Sequence, residues 1–259
     1  MSHILALLPL WQLMLAIVVL PTAVALVVQV IVRRRIGFER LELNNEVAGF
    51  MFAAIGVVYA VLLAFVVIAV WDKFSEGQTT VAHESAAAAA LFRYAEGAEP
   101  EAAKFHARLV DYLKLAIERD WHAMKTDSED GETTHALDAL YRAAMALNRT
   151  GARGIADMTA VFTQLDNLTL ARRVRLHLST GLVPDVIWFA LFAGAGLTVL
   201  FSLFFGNPNE LTQLAMTAIL SIVLTSGLVV IISLDHPFSG PVHIAPESIE
   251  HVLANATER

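Results

Sequence analysis

Four long apolar runs without Asp, Glu, Lys or Arg dominate the pattern of the chain. They are Ile4–Val32, Val47–Trp71, Val186–Phe205 and Leu211–Leu234. Each run is long enough to cross a bilayer, which takes about 20 apolar residues. Lipid offers the backbone no hydrogen-bond partner, so each run is predicted to be a transmembrane helix. Pro9 marks the expected start of the first helix, and Pro21 is expected to bend it.

A polar segment, residues 72–184, separates the second run from the third. Apolar residues recur there at spacings of three and four, which is typical of amphipathic helices. The three stripes are Phe105, Leu109, Tyr112, Leu113, Ala116 and Ile117; Leu137, Leu140, Tyr141, Ala144 and Leu147; and Leu165, Leu168, Ala171, Val174 and Leu178. Turn-rich residues interrupt the pattern at 96–100 and 126–132, and more weakly at Gly151 and Gly154. The segment is therefore predicted to be a bundle of three to four helices.

The chain thus divides into four parts. Residues 1–71 hold the first two transmembrane helices (4–32 and 47–71), and residues 72–184 form a helical extramembrane domain. Residues 185–234 hold the last two transmembrane helices (186–205 and 211–234), and residues 235–259 form a C-terminal tail. The predicted fold class is an all-α integral membrane protein with a helical-bundle insert.

Composition supports a membrane protein and excludes several other classes. Of the 259 residues, 56% are hydrophobic and only 17% are charged, against about 25% charged in soluble domains. The absence of cysteine excludes disulfides and thiolate metal sites. The net charge of −7 has the wrong sign for a nucleic-acid partner.

Basic residues near the membrane ends bear on the orientation. The first run lacks a positive n-region and ends at Arg33–Arg35, so it is interpreted as a retained anchor and not a cleaved signal peptide. The first loop carries Arg33, Arg34, Arg35 and Arg40, and the opposite side carries Lys73, Arg172, Arg173 and Arg175. The compact triplet tips this even tally towards a cytoplasmic first loop, which places the insert outside the cytoplasm. The expected location is the inner (plasma) membrane, with several passes.

The sequence contains no catalytic motif and no intramembrane ionisable group. No nucleophile elbow, phosphate-binding loop or HExxH zinc motif occurs, and the histidines lack metal-ligand spacing. The predicted spans contain hydroxyl and amide side chains but no acid or base in their interiors, as proton-coupled transport would need. The protein is therefore not expected to be an enzyme, and no cofactor or metal is predicted.

The second run offers one candidate face for a passive ion path. Small, polar and apolar residues follow helical spacing there, and Phe52 or Leu63 is a candidate for an apolar ring that gates by dewetting. The predicted pore-lining residues are Asn45, Gly49, Phe52, Gly56, Tyr59, Leu63 and Val66. The alternative is helix–helix packing through Gly49 and Gly56.

Basic residues on the insert side are predicted to attract anions to the mouth of such a path. They are Lys73, Arg172, Arg173 and Arg175. The alternative for these residues and for Arg33–Arg35 is anchoring at the interface through lipid headgroups.

Several segments, in order, resemble one family over residues 40–250. They are NEVAGF at 45–50, GVVYAVLLAF at 56–65, ERDW at 118–121, RRVR at 172–175 and LDHPFSGP at 234–241. In this order they resemble the bacterial bestrophin-like family, also known as domain of unknown function 4239.

The resemblance implies a homo-oligomeric, pentameric anion channel whose second transmembrane helix lines the neck. Asp235, Pro237, Phe238 and Gly240 are similar to the Asn-Pro-Phe-Gly segment that follows the last bestrophin span. Bestrophins bind calcium through an acidic run after that segment; here residues 241–247 contain no acidic cluster, which argues against calcium gating. The resemblance also implies a cytoplasmic insert, against the tally of basic residues, and both orientations stay open.

Two functions from different classes fit these observations. The first is an oligomeric channel that passes ions, with anions such as chloride expected. The alternative is a non-conducting membrane sensor or scaffold whose helical insert binds a partner or ligand. The expected partners are membrane lipids and copies of the chain itself.

Overall fold

The computed structural model describes residues 8–43, 45–96, 100–147 and 151–258. The start of the first apolar run and residues 97–99 of the first predicted interruption lie outside these ranges. The described residues form helices and connecting segments, with no strand among them. The helices are α1 (Leu10–Ile36), α2 (Phe38–Glu42), α3 (Asn45–Tyr94), α4 (Pro100–Leu115), α5 (Trp121–Met124), α6 (Gly131–Met145), α7 (Gly151–Ser179), α8 (Asp185–Ser202), α9 (Glu210–Asp235) and α10 (Glu247–Thr257).

Four of these helices, α1, α3, α8 and α9, are long and apolar enough to span a membrane. The predicted fold class, with four spans and a helical insert, is confirmed. The observed bounds differ from the expected ones, by one to four residues at most ends and by more at the end of α3. Helix α3 continues past Trp71 to Tyr94 because no helix breaker follows the apolar run. Helix α8 ends at Ser202, before the predicted end at Phe205.

Pro21 does sit at an irregularity of the first span. A π-helical turn, Leu15–Val19, interrupts α1 directly before it. A proline has no N–H to donate and its ring clashes with the carbonyl four residues earlier. The wider turn relieves both problems, so the proline is accommodated locally. Pro9, at the N-cap position, precedes the first helical residue, as expected.

Contacts divide the chain into two compact units. The first unit comprises Met1–Asp72, Gly181–His236 and Gly240–Val242, and it contains the four spans. Within it, α1 and α9 are joined by polar pairs that succeed one another along both helices. Thr22 Oγ1 lies 2.9 Å from Ser221 Oγ, Thr217 donates to Gln29 at 3.5 Å, and Arg33 donates to Gln213 at 2.5 Å. Hydroxyl and amide groups of the spans therefore connect helices within one protomer.

The second unit comprises Lys73–Thr180, Pro237–Ser239 and His243–Arg259. Its core contains the stripes that helical periodicity predicts: Phe105, Leu109 and Leu140 are fully buried, as are Leu165 and Leu168. Gly151 is the first residue of α7, while Gly154 lies inside that helix, so the expected break does not include Gly154.

The expected C-terminal tail, 235–259, is largely structured. Helix α10 lies within it and belongs to the second unit. Ile249 of this helix is fully buried and anchors it to the domain. The predicted domain boundaries at residues 72 and 184 stay a prediction.

Candidate functional site

The face of α3 predicted to line a pore packs against α8 and α9 of the same protomer. Tyr59 is buried, and its hydroxyl donates to the Leu191 carbonyl at 3.0 Å. Its ring lies on Gly194, where an added Cβ would come within 2.5 Å of Tyr59 Cδ2. Leu63 packs on Gly227 in the same way, and a Cβ added at Gly227 would lie 2.7 Å from Leu63 Cδ2. Both glycines allow close approach of the helices.

The beginning of the same face packs on the end of the third span. Phe52 contacts two rings there, with centroids 6.1 Å from Phe201 and 5.5 Å from Phe205. The Asn45 amide donates to the Gly206 carbonyl at 2.7 Å and accepts from the Gly206 N–H at 3.0 Å. Further along, Val66 is buried, whereas Gly56 has open space beside it.

These contacts use most of the residues predicted to line a pore for packing within one protomer, and which face of α3 lines a path stays a prediction. Asn45, Gly49, Phe52, Tyr59, Leu63 and Val66 face their own protomer, but the close helix approach lies at Gly194 and Gly227 and not at Gly56, which the packing alternative named. The physical reason is that small and polar residues in a span mark close helix approach as readily as they mark a path. Sequence reasoning missed Gly194 and Gly227, the glycines that the packing needs. The Gly-Ala-Gly at 194–196 and Ser-Gly at 226–227 were the available signals.

The opposite face of α3 is apolar and exposed in the protomer. Its members are Phe50, Ala54, Val57, Val61, Phe65 and Ile68. We call these residues the exposed stripe. They recur at helical spacing, and the large ones among them are at least half exposed. The charged residues next to its two ends, Glu46 and Asp72, are exposed as well.

Most of the residues predicted to form an anion-attracting mouth are buried in the second unit. Arg172 Nε lies 2.7 Å from Asp120 Oδ2, and Arg175 Nε lies 2.6 Å from Glu84 Oε2. Lys73 is also buried, and its Nζ donates to the Thr180 carbonyl. Only Arg173 of the set is exposed. The anion-attracting role stays a prediction for the set; charges that are buried and bonded within the domain, as in the other three residues, offer little to an incoming anion.

The two arginines belong to a compact buried network. Arg175 also reaches Asp120 at 3.4 Å and lies 4.2 Å from the centroid of the Trp121 ring. The Tyr112 hydroxyl donates to Glu84 at 3.1 Å. Burial, followed by the charge of Glu84, raises the pKa of Tyr112 well above its ordinary value. Burial is the largest single influence on the pKa of Arg175 and lowers it, but Glu84, Tyr112 and Asp120 together outweigh burial and raise that pKa.

This network joins two of the quoted sequence motifs, 118–121 and 172–175. Two carboxylates face two guanidinium groups in it, so the buried charges balance. Glu84 was missed as a member of this network. The only signal was a carboxylate two residues before the alanine run at 86–90, on a helix that is expected to bury one face.

The motif after the last span contributes to both units. In the first unit, Asp235 Oδ1 accepts hydrogen bonds from the backbone N–H groups of Leu182 at 2.9 Å and Val183 at 3.0 Å. These two bonds fix the segment that leads into α8.

The rest of the motif belongs mainly to the second unit. Phe238 is buried, with its ring edge-on to Trp121 at 6.1 Å. The Trp121 indole donates to the Ile244 carbonyl at 3.1 Å, and the Ile244 N–H donates to the Pro237 carbonyl at 2.8 Å. Gly240 of the first unit has a φ of 86°, which favours glycine at this turn. Asp235, Pro237, Phe238 and Gly240 therefore have structural contacts or geometry that account for the motif.

Among the residues that the structure describes, no group of three or more His, Cys, Asp or Glu side chains forms a candidate metal site.

Comparison with known proteins decides the family. The Bestrophin-like domain matches residues 19–249, which is most of the chain. The chain belongs to the Bestrophin-like family. The backbone of this bestrophin-like chain is also similar to solved structures. Two are of a bacterial bestrophin homologue from Klebsiella pneumoniae, one with a leucine-to-threonine and one with an isoleucine-to-threonine mutation.

The first is 18% identical with a TM-score of 0.69 and covers 92% of this chain and 99% of the other. The second is 16% identical with a TM-score of 0.69 and covers 91% and 99%. A crystal structure of a membrane protein with a proline-to-alanine substitution is 16% identical, with a TM-score of 0.67 and coverages of 92% and 98%. At these identities the likeness shows the fold. No curated protein matches the chain.

Proposed function

We propose that this bestrophin-like chain forms a homo-oligomeric channel that passes ions along the exposed stripe of α3. The observation that carries the proposal is the stripe itself: a charge-free face of the second span that none of the described helices of the protomer covers. The family resemblance supports the same helix as the lining of a shared neck. A narrow apolar segment of this kind gates by dewetting.

The proposal requires several copies around one axis. The face of α3 that contains Tyr59 and Leu63 packs within the protomer. One chain therefore supplies only one wall of a path, which is the exposed stripe. Cyclic symmetry brings the same stripe from each copy to a common centre. The resemblance suggests five copies.

We propose anions, such as chloride, as the conducted ions. The stripe contains no carboxylate between Val47 and Trp71. An ion that loses its water at low cost crosses an apolar constriction most easily, which favours large, weakly hydrated anions.

A specific observation favours cations as a second candidate. Glu46 and Asp72 are exposed near the two ends of the stripe, in the same sector of α3. In an oligomer each would be repeated in every copy, and rings of carboxylates are a means by which channels select cations. The two candidates make opposite predictions for the sign of the reversal potential.

The test is flux and current across vesicles that contain the purified full-length protein. We expect Val61→Ala to raise the conductance, because a smaller side chain on the stripe widens the path. Phe52→Ala, on the packed face, is expected to lower stability without raising the conductance. Under a potassium chloride gradient, the sign of the reversal potential identifies the ion, and Glu46→Gln with Asp72→Asn is expected to reduce a preference for cations if carboxylate rings create it. Vesicles that stay sealed to both ions contradict the channel. If they also show a saturable partner for the insert, the sensor or scaffold is the better description.

We further propose that the protein resides in the inner membrane. The side of the insert is testable because the chain has no native cysteine. Arg173 is exposed, so the Arg173→Cys variant reports the orientation. Labelling by a membrane-impermeant maleimide in intact cells indicates an extracytoplasmic insert. Labelling only after the cells are opened indicates a cytoplasmic one.

A further inference from the structure

A cavity of about 350 Å³ lies among the second, third and fourth spans of the first unit, at the ends joined by the residue 203–209 loop. The residues that line it are Asn45, Gly49, Phe52, Ser202, Phe205, Gly206, Asn207, Gln213, Met216, Thr217 and Leu220. Its volume falls in the range of small-ligand sites. Three residues predicted to line a pore, Asn45, Gly49 and Phe52, line this cavity within the protomer.

The polar side chains around the cavity are already bonded to the protein. Asn45 is bonded in both directions to Gly206. Gln213 donates to the Phe205 carbonyl at 2.6 Å and accepts from Arg33. The remaining polar lining residues are similarly bonded: Ser202 to Val199, Thr217 to Gln29 and Asn207 to Asn209. The surface left for an occupant is therefore mainly hydrocarbon and aromatic, and an apolar occupant loses no hydrogen bond there.

The position of the cavity indicates where the occupant comes from. Met216 lines the cavity and is 62% exposed on the membrane-spanning part of α9. The cavity thus reaches a surface that meets the hydrocarbon of a bilayer. The lining comes from the first turns of α3 and α9 and the end of α8, so the cavity lies near the level of lipid headgroups.

A positive charge at the same level selects the kind of lipid. Arg33 donates to the carbonyls of Asn207 at 2.6 Å and Pro208 at 2.9 Å, which places the end of α1 at the loop that borders the cavity. The next two residues, Arg34 and Arg35, are exposed. Exposed arginines at the headgroup level attract anionic phospholipids.

We propose that this cavity holds an acyl chain of an anionic membrane phospholipid, with its phosphate near Arg34 and Arg35. Phe52 and Phe205 form an aromatic wall for the chain, and Met216 and Leu220 lie along its entrance from the bilayer. The lipid is a structural ligand of the spans, and the inference holds whether or not the protein conducts ions.

Gly49 provides a direct way to fill the cavity. An added Cβ there would lie 4.0 Å from the Phe205 ring, which is ordinary contact, so a larger side chain enters the cavity without a clash at its base. Gly56, on the same helix, has open space beside it and does not line the cavity. Gly49→Leu and Gly56→Leu are therefore matched variants that add the same apolar side chain inside and outside the site.

The test uses full-length protein in phosphatidylcholine vesicles that contain phosphatidylglycerol with a photoactivatable group on one acyl chain. Crosslinked peptides are identified by mass spectrometry, and labelling at Met216 and Leu220 is compared with labelling at the exposed residue Leu197 of α8. We expect preferential labelling at Met216 and Leu220. Gly49→Leu displaces about two methylenes of the acyl chain and is expected to lower this labelling about tenfold. Gly56→Leu is expected to leave the labelling unchanged.

Two further variants keep the test decisive. Ser202→Leu fills the cavity from the opposite wall and is expected to reproduce the loss if Gly49→Leu fails to fold. Arg34→Gln with Arg35→Gln is expected to remove the preference for phosphatidylglycerol over a photoactivatable phosphatidylcholine. Equal labelling of Leu197, Met216 and Leu220, or unchanged labelling in both filling variants, overturns the proposal.

Discussion

The two units of the chain hold their polar groups in opposite ways. In the first unit, the buried contacts between α1 and α9 are neutral, such as Thr22 with Ser221, and large apolar side chains lie on the surface. In the second unit, the core is apolar but encloses the charged pairs Arg172–Asp120 and Arg175–Glu84. The difference follows from the solvent. Apolar side chains that face lipid gain nothing from being buried between helices, because lipid is as apolar as they are. In water, burial of apolar side chains drives formation of the core, and charges enclosed in that core must be paired.

Removing Arg175 tests the charged core most severely. Arg175→Met leaves Glu84 and Asp120 buried with half of their positive partners, and we expect the free energy of unfolding to fall by about 3–5 kcal/mol. Denaturant unfolding of the full-length protein in detergent measures this loss. Arg173→Met, two residues away but exposed, is the control and is expected to change stability by less than about 0.5 kcal/mol. Equal effects of the two variants would mean that the network contributes nothing.

Overpacking tests the close helix approach in the membrane unit. Gly194→Ala places a Cβ 2.5 Å from the Tyr59 ring, and we expect a loss of about 1–3 kcal/mol in thermal or denaturant unfolding. Gly196→Ala is the matched control, because its Cβ meets nothing within 4 Å. That control is expected to be neutral or to stabilise α8 by up to about 1 kcal/mol through helix propensity. If both alanines are tolerated, Tyr59 does not fix the spacing of α3 and α8.

The neutral pairs of the spans are expected to be individually weak. A double-mutant cycle of Thr22→Val and Ser221→Ala is expected to give a coupling free energy of about 0.6 kcal/mol, as is usual for hydrogen bonds between membrane helices. The cycle is measured by unfolding in detergent. A coupling as large as that expected for the buried ion pairs would break the comparison between the two units.

The smallest expected effect on stability comes from the ionisation of Tyr112 in the charged core. It is absent at neutral pH and appears only at alkaline pH. The raised pKa of Tyr112 means that the folded protein keeps this proton when the unfolded chain loses it at about pH 10. Stability is therefore unaffected below that pH and falls as the pH rises above it. The measurement is the denaturation midpoint between about pH 8 and about pH 11. Tyr112→Phe is expected to flatten this dependence, and an unchanged slope would argue against the buried phenol.

The sequence was sufficient to predict the spans and the core of the insert. Charge-free runs of the right length have one stable form in lipid, so the four spanning helices could be inferred from composition alone. The buried stripe that includes Phe105 and Leu109 followed from helical spacing. Both inferences depend on one-dimensional patterns that a single helix must satisfy.

The candidate site was predicted less well, for a reason that particular residues show. Tyr59 and Leu63 were assigned to a path because they share a face of α3, but helical spacing does not say which neighbour that face meets. Arg172 and Arg175 were assigned to a mouth because they carry charge. Their carboxylate partners, Asp120 and Glu84, are distant in the sequence, and no local pattern links them.

By itself, the sequence determined that this chain crosses a membrane on four helices, carries a helical insert and resembles bestrophins. These properties follow from hydropathy, periodicity and short motifs, each of which is local. Only the tertiary structure decided which face of the second span is packed and which is exposed, and which arginines are paired in the core. Those outcomes depend on contacts between residues far apart in the chain, such as Tyr59 with Gly194 and Glu84 with Arg175, and such contacts exist only once the helices have packed.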